Sequence, residues 1–414
     1  LTLERNLTLY PWFQAAAGFL PWLPIFFLYF HQFVSTASAL QLSAIYYFSV
    51  FLLEVPSGYF SDRYGRRLTL ILASCFAVFA YIIFFTSTQF YWFAIAQFLL
   101  AGFFSFKSGS DNALLYDTLK ALGRESEYAT REANGTRAGM LALALSALIG
   151  GISGFVNLSI AYALSLCGAL WAMYLAIQFK EPAQAVAVAP FVQQLRHCIA
   201  QLRNANLLWF FLFFVCGYSL QHILAEFAQP YISVLNFDPL LGSVLTSNNQ
   251  LYAGSSLSAF TSGCMVTISM LFGAWGASMS VRMTNKLGVR KLLLCSLLIM
   301  LIIIFAMGSI LHPAILGLVL LRNFPMALAE APLLAAIAPH LKNAYRATYL
   351  SMQSLVARLC FAFVLFAVSG IFNTGDAGKT ITWQYLQSAL LVCLLASVIC
   401  VAALALFKKS KQVS

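Results

Sequence analysis

Charge is what this chain has least of. Only 9% of its 414 residues are Asp, Glu, Lys or Arg, against roughly 25% in an ordinary water-soluble domain. With 61% hydrophobic residues and a mean hydropathy of +0.83, a water-soluble globule is excluded, because the polar side chains are too few to cover it. Paired cysteines are missing as well. Cys75, Cys167, Cys198, Cys216, Cys264, Cys295, Cys360, Cys393 and Cys400 are scattered, mostly inside apolar runs, with no Cys-x-x-Cys. They read as small buried apolar residues, and neither a disulfide framework nor a zinc site is indicated. No Gly-x-x-x-x-Gly-Lys loop occurs, which removes the engine of an ATP-driven pump; no metal-ligand cluster or nucleophile motif is present either, so neither an enzyme nor a cofactor is expected. Period-two alternation is lacking in the apolar runs, which excludes a transmembrane barrel. The first run is too long for a cleavable signal peptide.

What the chain does have is apolar length. Runs of about 20 residues, enough to cross a bilayer as a helix, recur near Tyr10–Val34, Leu42–Phe60, Leu68–Phe85, Phe90–Leu115, Ala133–Phe155, Leu158–Phe179, Leu207–Val234, Ala259–Val281, Lys291–Leu311, Ala314–Ala338, Ala347–Phe372 and Tyr385–Phe407. The pattern predicts an all-α membrane protein of twelve spans embedded in a lipid bilayer. The net charge of +11 is distributed by topology. If the N-terminus is cytoplasmic, the loops on that side hold Arg63, Arg66, Arg67, Lys120, Arg124, Arg131, Lys180, Arg196, Arg203, Lys286, Arg290, Lys291, Lys342 and Arg346, and the tail adds Lys408, Lys409 and Lys411. The opposite loops hold essentially only Lys379. Basic loops stay inside, so both termini are expected in the cytoplasm, the membrane is expected to be the inner (plasma) membrane, and no nucleic-acid partner is implied.

One charged turn stands between two of these runs: Gly58-Tyr-Phe-Ser-Asp62-Arg63-Tyr-Gly65-Arg66-Arg67. It resembles the cytoplasmic loop between helices 2 and 3 of the major facilitator superfamily, whose pattern is Gly, three variable residues, Asp-Arg, one variable residue, then Gly-Arg-Arg or Gly-Arg-Lys. The resemblance implies a secondary transporter with two pseudo-symmetric six-helix bundles. Internal repetition agrees with it. Asp111-Asn-Ala-Leu-Leu in span 4 lines up with Glu330-Ala-Pro-Leu-Leu in span 10, Arg137 and Arg358 fall in spans 5 and 11, and Asn285-Lys286-Leu-Gly288-Val-Arg290-Lys291 is a worn copy of the charged turn. Three parts are expected: an N-terminal bundle at 1–179, a cytoplasmic linker at 180–206 with an interfacial amphipathic helix over Gln193–Arg203, and a C-terminal bundle at 207–414. Residues 235–258 are polar and long for an outer loop, and read as an insertion, with a lid over the outer mouth as the alternative.

The charged turn has the chemistry of a latch. Gly65 permits the turn, and Gly58 is expected to let backbones approach closely. Asp62 is suited to accept hydrogen bonds from the amides at a neighbouring helix N-terminus, which the family implies to be span 11. Arg66 and Arg67, with Arg63 beside them, are expected to reach Asp117, which resembles the family's charge-relay acid, with Glu54 and Arg137 nearby at the cytoplasmic ends of spans 2 and 5.

Ionisable groups within spans are costly and mark function. Lys107, Arg322 and Arg358 fall near the centres of spans 4, 10 and 11, and point to a substrate anion, since guanidinium favours carboxylate or phosphate. Lys107 and Asp111 are four residues apart, as are His222 and Glu226, so each pair shares a helical face. Glu226 with His222 suits a coupling proton, with Asp111 and Glu330 in reserve; sodium is not excluded, since its carbonyl and hydroxyl ligands leave no signature. Tyr46, Tyr47 and Tyr218 are candidate substrate contacts, whereas Tyr10 and Trp12 read as interface anchors. Span 5 offers Gly150-Gly151-Ile-Ser-Gly154 without the proline of the drug-antiporter pattern. A monomeric transporter of a small or medium organic anion, such as a polycarboxylate metabolite or siderophore, is therefore expected. The alternatives are a proton-driven exporter of amphiphilic drugs, and a non-transporting receptor or lipid scramblase on the same fold.

Overall fold

The computed structural model describes residues 3–182, 199–200, 202–235, 253–337, 343–373 and 381–406, among which there are helices and no strands. Twelve helices among them are long and apolar enough to cross a membrane: Glu4–His31, Thr36–Tyr64, Arg66–Thr86, Phe90–Ala121, Glu125–Ser153, Ser159–Gln178, Ala205–Leu235, Ser256–Leu287, Val289–Ser309, Ala314–Ile337, Tyr349–Phe372 and Trp383–Leu406, here spans 1 to 12. Each apolar run read from the sequence is one of them. Several spans extend beyond the apolar run, because a helix continues into polar sequence until something stops it. Span 2 shows both ends of that rule. Ser35 opens it by accepting a hydrogen bond from the Ser38 amide, and Gly65, at φ +100°, closes it in a backbone conformation that side-chain-bearing residues resist. The linker residues 183–198 and the outer stretch 236–252 lie outside the described residues, so the amphipathic helix over Gln193–Arg203 and the insertion at 235–258 are not addressed.

The chain groups into two compact units, Leu1–Ala187 with Asn236–Thr267, and Val188–Leu235 with Ile268–Ser414, span 8 contributing to both. In the first unit, Phe13 and Ala16 of span 1 pack on Leu70 of span 3, Leu114 of span 4, and Ala172, Leu175, Ala176 and Phe179 at the end of span 6. Further along, Tyr29, Phe30, Phe84, Phe93 and Tyr162 form a ring cluster, with Tyr29 and Tyr162 centroids 4.4 Å apart. Polar tips in this apolar mass are tied off: the Trp22 indole N–H donates to the Tyr81 hydroxyl at 2.9 Å. In the second unit, Trp209 donates to the Leu404 carbonyl and Tyr349 to that of Leu207, joining spans 7, 11 and 12.

Candidate functional site

Among the described residues, four of the twelve spans are interrupted in their interior, and they are spans 1, 4, 7 and 10. Local chemistry accounts for each. Span 1 stops at Gly18 and resumes as a 3-10 turn at Leu23–Ile25, with Pro21 and Pro24 withholding two amide donors. Span 4 stops at Lys107 and restarts at Ser110, with Gly109 left-handed at φ +78°. Span 7 divides into Ala205–Glu226 and Ala228–Leu235, where Pro230 has no N–H to bond the Glu226 carbonyl one turn back. Span 10 tightens into a 3-10 turn at Leu320–Asn323, Pro325 likewise sparing the Leu321 carbonyl. Backbone freed in this way is not tolerated against lipid, only against protein or water. The interruptions therefore mark where polar business is done.

At the break in span 4, Lys107 ends one helix and Asp111 begins the next. Each charge is on the side its helix dipole favours, a cation at a C-terminus and an anion at an N-terminus. The Lys107 ammonium lies 2.6 Å from Asp111 Oδ2, so the pair expected from its four-residue spacing forms, but across a break and not along one continuous helical face. Gln14 of span 1 donates to the same oxygen at 2.8 Å, and the Asn112 amide to Oδ1 at 2.8 Å. Tyr10, buried here and not an interface anchor, takes a second Gln14 hydrogen bond and donates to Asn112 Oδ1 at 2.7 Å. Trp12 is the exposed member of the expected anchor pair.

The second unit carries a different arrangement at its break. Arg322 is only 9% exposed, and four residues on from it stands Met326, where Lys107 has Asp111. No acid among the described residues forms an ion pair with it. Its neighbour Asn323 accepts from Gln221 of span 7 and donates to Ser269 of span 8, each at 3.2 Å. Span 8 comes close enough for this because a side chain at Gly276 would meet the Phe324 carbonyl oxygen at 2.6 Å. Arg322 and Arg358 both act electrostatically on His222, whose Nδ1 lies 2.8 Å from the Tyr218 carbonyl oxygen and whose ring stacks on Tyr218 at 3.8 Å. Glu226, the last residue before the break in span 7, is buried.

At the turn after span 2, Arg66 Nη1 is 2.6 Å from Asp62, and its Nε is 3.5 Å from Asp117. Arg67 does not share that acid: its guanidinium donates to the Ile177 carbonyl at 2.8 Å, because its position at the start of span 3 faces the end of span 6. Arg63 turns outward onto Tyr59 and Tyr64. The N-terminus of span 3 is capped by the carboxylate of Glu181. Its two oxygens accept from the amides of Arg66 and Arg67, both at 2.7 Å, while Lys180 exchanges backbone hydrogen bonds with the Asn6 side chain. The first linker residues are thereby fastened to the charged turn.

The remaining candidates are dispersed. A side chain at Gly58 would meet nothing within 4 Å among the described residues, so the close backbone approach expected there is not made. Glu330 and Arg137 are on exposed helix faces, and Glu54 is half-buried. Tyr46 and Tyr47 are half-buried and pack edge-on, with centroids 5.2 Å apart. Ionisable residues drew attention in the sequence; the neutral partners Gln14, Asn112, Gln221 and Asn323 did not, although a side-chain amide inside an apolar run is itself a signal.

The family profile described as Major Facilitator Superfamily matches residues 13–255. Among solved structures, the chain is similar to the nucleoside transporter NupG, with a TM-score of 0.75 at 13% identity, covering 99% of this chain and 100% of that one. It is also similar to a bacterial homologue of the human lysosomal transporter Spinster in an inward-facing, unoccupied conformation, with a TM-score of 0.68, 13% identity and coverage of 98% and 96%. A POT family transporter in complex with 5-aminolevulinic acid gives a TM-score of 0.62 at 13% identity, covering 98% and 96%. No curated protein matches by sequence. At such identities the likenesses carry the fold; the profile, spanning more than half of the chain, carries the family. The chain is a multi-pass membrane protein of the Major Facilitator Superfamily, a secondary transporter.

Proposed function

We propose that this transporter moves a small organic anion by alternating access between two six-span halves joined by the 180–206 linker, coupled to protons, in the inner (plasma) membrane with both termini cytoplasmic. The observation that carries the anion is Arg322, buried at the break in span 10 with no acidic ion-pair partner among the described residues. A guanidinium fork there suits a carboxylate better than any neutral or cationic solute, with Arg358 as its companion. Lys107 is less available, its charge already matched by Asp111.

For the proton, Glu226 is preferred over Asp111. A negative charge at the C-terminal end of a helix is opposed by the helix dipole, whereas Asp111 stands in the first turn of a helix, where the dipole favours it. The turn at 58–67, with Asp117 and Glu181, serves as the cytoplasmic latch. The deciding experiment is uptake into proteoliposomes under an imposed pH gradient. Arg322→Ala should weaken anion binding by about 10- to 100-fold, the scale of charge-assisted hydrogen bonds, and Arg322→Lys by less. Unchanged binding in both variants would remove the anion reading; absence of any uptake would favour a receptor or scramblase. A second reading, a neutral nucleoside-like solute, draws support from the amide chain Gln221–Asn323–Ser269 and from the likeness to a nucleoside transporter.

A further inference from the structure

We infer that the solute's acidic group is borne on a planar aromatic ring, making it an aryl or heteroaryl carboxylate held between spans 7 and 10 of the second unit; this rests on the anion reading and deepens it. Tyr218, Gln221 and His222 stand three and four residues apart and so share one face of span 7. The Tyr218 and His222 rings lie 3.8 Å apart and within 20° of parallel, with Phe361 at 5.4 Å from the imidazole. The 2.8 Å approach of Nδ1 to the Tyr218 carbonyl oxygen holds the imidazole plane in place. Together they make a rigid aromatic slab.

Both rings are half-buried, as are Gln221 and Asn323. Polar and ionisable side chains at membrane depth face the protein interior or water and not hydrocarbon, so the exposed part of the slab opens onto a polar path. Arg322 shares the 3-10 turn of span 10 with Asn323, which is bonded to Gln221 of the slab's helical face. A flat ring can stack on the slab while its carboxylate takes the guanidinium. An aliphatic anion uses only the second feature, and a neutral ring only the first.

The test is binding of benzoate, cyclohexanecarboxylate, benzamide and adenosine to the purified full chain, by calorimetry and saturation-transfer NMR. Benzoate should bind about tenfold tighter than cyclohexanecarboxylate, the upper range for ring stacking, and tighter than benzamide. Tyr218→Phe should retain that preference and Tyr218→Leu should erase it; His222→Leu tests the other half of the slab should Tyr218→Leu fold poorly. Equal binding of benzoate and cyclohexanecarboxylate overturns the ring inference and leaves the anion reading standing. Benzamide binding as well as benzoate overturns both, as does adenosine binding tightest with no response to Arg322→Ala, or no benzoate binding up to about 10 mM.

Discussion

Glu181 offers the sharpest mechanical test, since its side-chain carboxylate joins the linker to backbone amides of the charged turn. Both of its oxygens accept amide hydrogen bonds at 2.7 Å, from Arg66 and Arg67, at the N-terminus of the span 3 helix, where unpartnered amides and the dipole favour an anion. Helix caps contribute about 0.5–2 kcal/mol and a charge at a helix end ~0.3–1 kcal/mol. The site is only part-buried, so water can replace some of what is lost, and Glu181→Ala should cost about 1–3 kcal/mol. Glu181→Gln retains one acceptor oxygen and should cost roughly half of that. Glu181→Asp, shorter by roughly 1.5 Å of side chain, cannot span the same gap without moving the backbone and should resemble alanine. Gly65→Ala attacks the same contact from the other side: its φ is +100°, and the added carbon would stand 2.8 Å from Glu181 Cδ. Thermal unfolding in detergent, followed by tryptophan fluorescence, should rank the proteins wild type, Gln, then Asp with Ala, and proteoliposome uptake should slow in the same order. If Glu181→Ala unfolds at the wild-type temperature and transports at the wild-type rate, the cap is incidental.

Other substitutions separate structure from coupling. Asp111→Asn or Lys107→Met alone strands the opposite buried charge and should destabilise by ~3–5 kcal/mol, whereas the double variant should recover most of it; a double variant no more stable than the sum of its parts would mean that the pair is not coupled. Glu226→Gln should abolish accumulation driven by a pH gradient while preserving substrate exchange, and an unchanged response to the gradient moves the coupling role elsewhere. Asp62→Asn loses a largely exposed pair with Arg66, which contributes at most about 1 kcal/mol; it should fold normally and transport slowly, so wild-type uptake would exclude Asp62 from the latch.

The spans were legible because a membrane helix is specified by local composition: every apolar run became a helical span, although four of them carry an interior break. The charged turn was legible because its residues are contiguous. Its wiring was not. Nothing in the sequence between Arg66 and Glu181, 115 residues apart, says that the end of span 6 returns to the start of span 3, where Glu181 caps the helix. The Lys107–Asp111 pair was found from helical spacing even though the helix is broken between them; Ser108-Gly109-Ser110 carried the signal of that break. The prolines 21, 230 and 325 carried similar signals. They were unread because a proline inside an apolar run is compatible with either a kink or a stop, and neighbouring helices decide which.

The two central breaks also explain why cations recur at corresponding places but cannot do the same work. In span 4 the break is self-neutral: lysine and acid flank Gly109, each stabilised by its own helix end, and Gln14 of span 1 donates to the acid while Tyr10 donates to the adjacent Asn112. Such a set resists change, because any departure uncovers a buried charge, and it suits a fixed hinge in an apolar bilayer. In span 10 the 3-10 turn is held instead by neutral amides, Gln221 to Asn323 to Ser269. Neutral hydrogen bonds are individually weaker than charge-assisted ones and can be exchanged for bonds to a solute or to water at little net cost. Arg322 is left as a charge whose complement, an acid four residues on, the sequence replaces with Met326. A buried guanidinium without such an acid is expensive to keep in an apolar bilayer, and the proposed anionic solute would relieve that cost on binding. On the anion proposal, the asymmetry between the two breaks, one compensated from within and the other by cargo, assigns the reading of substrate identity to the second unit.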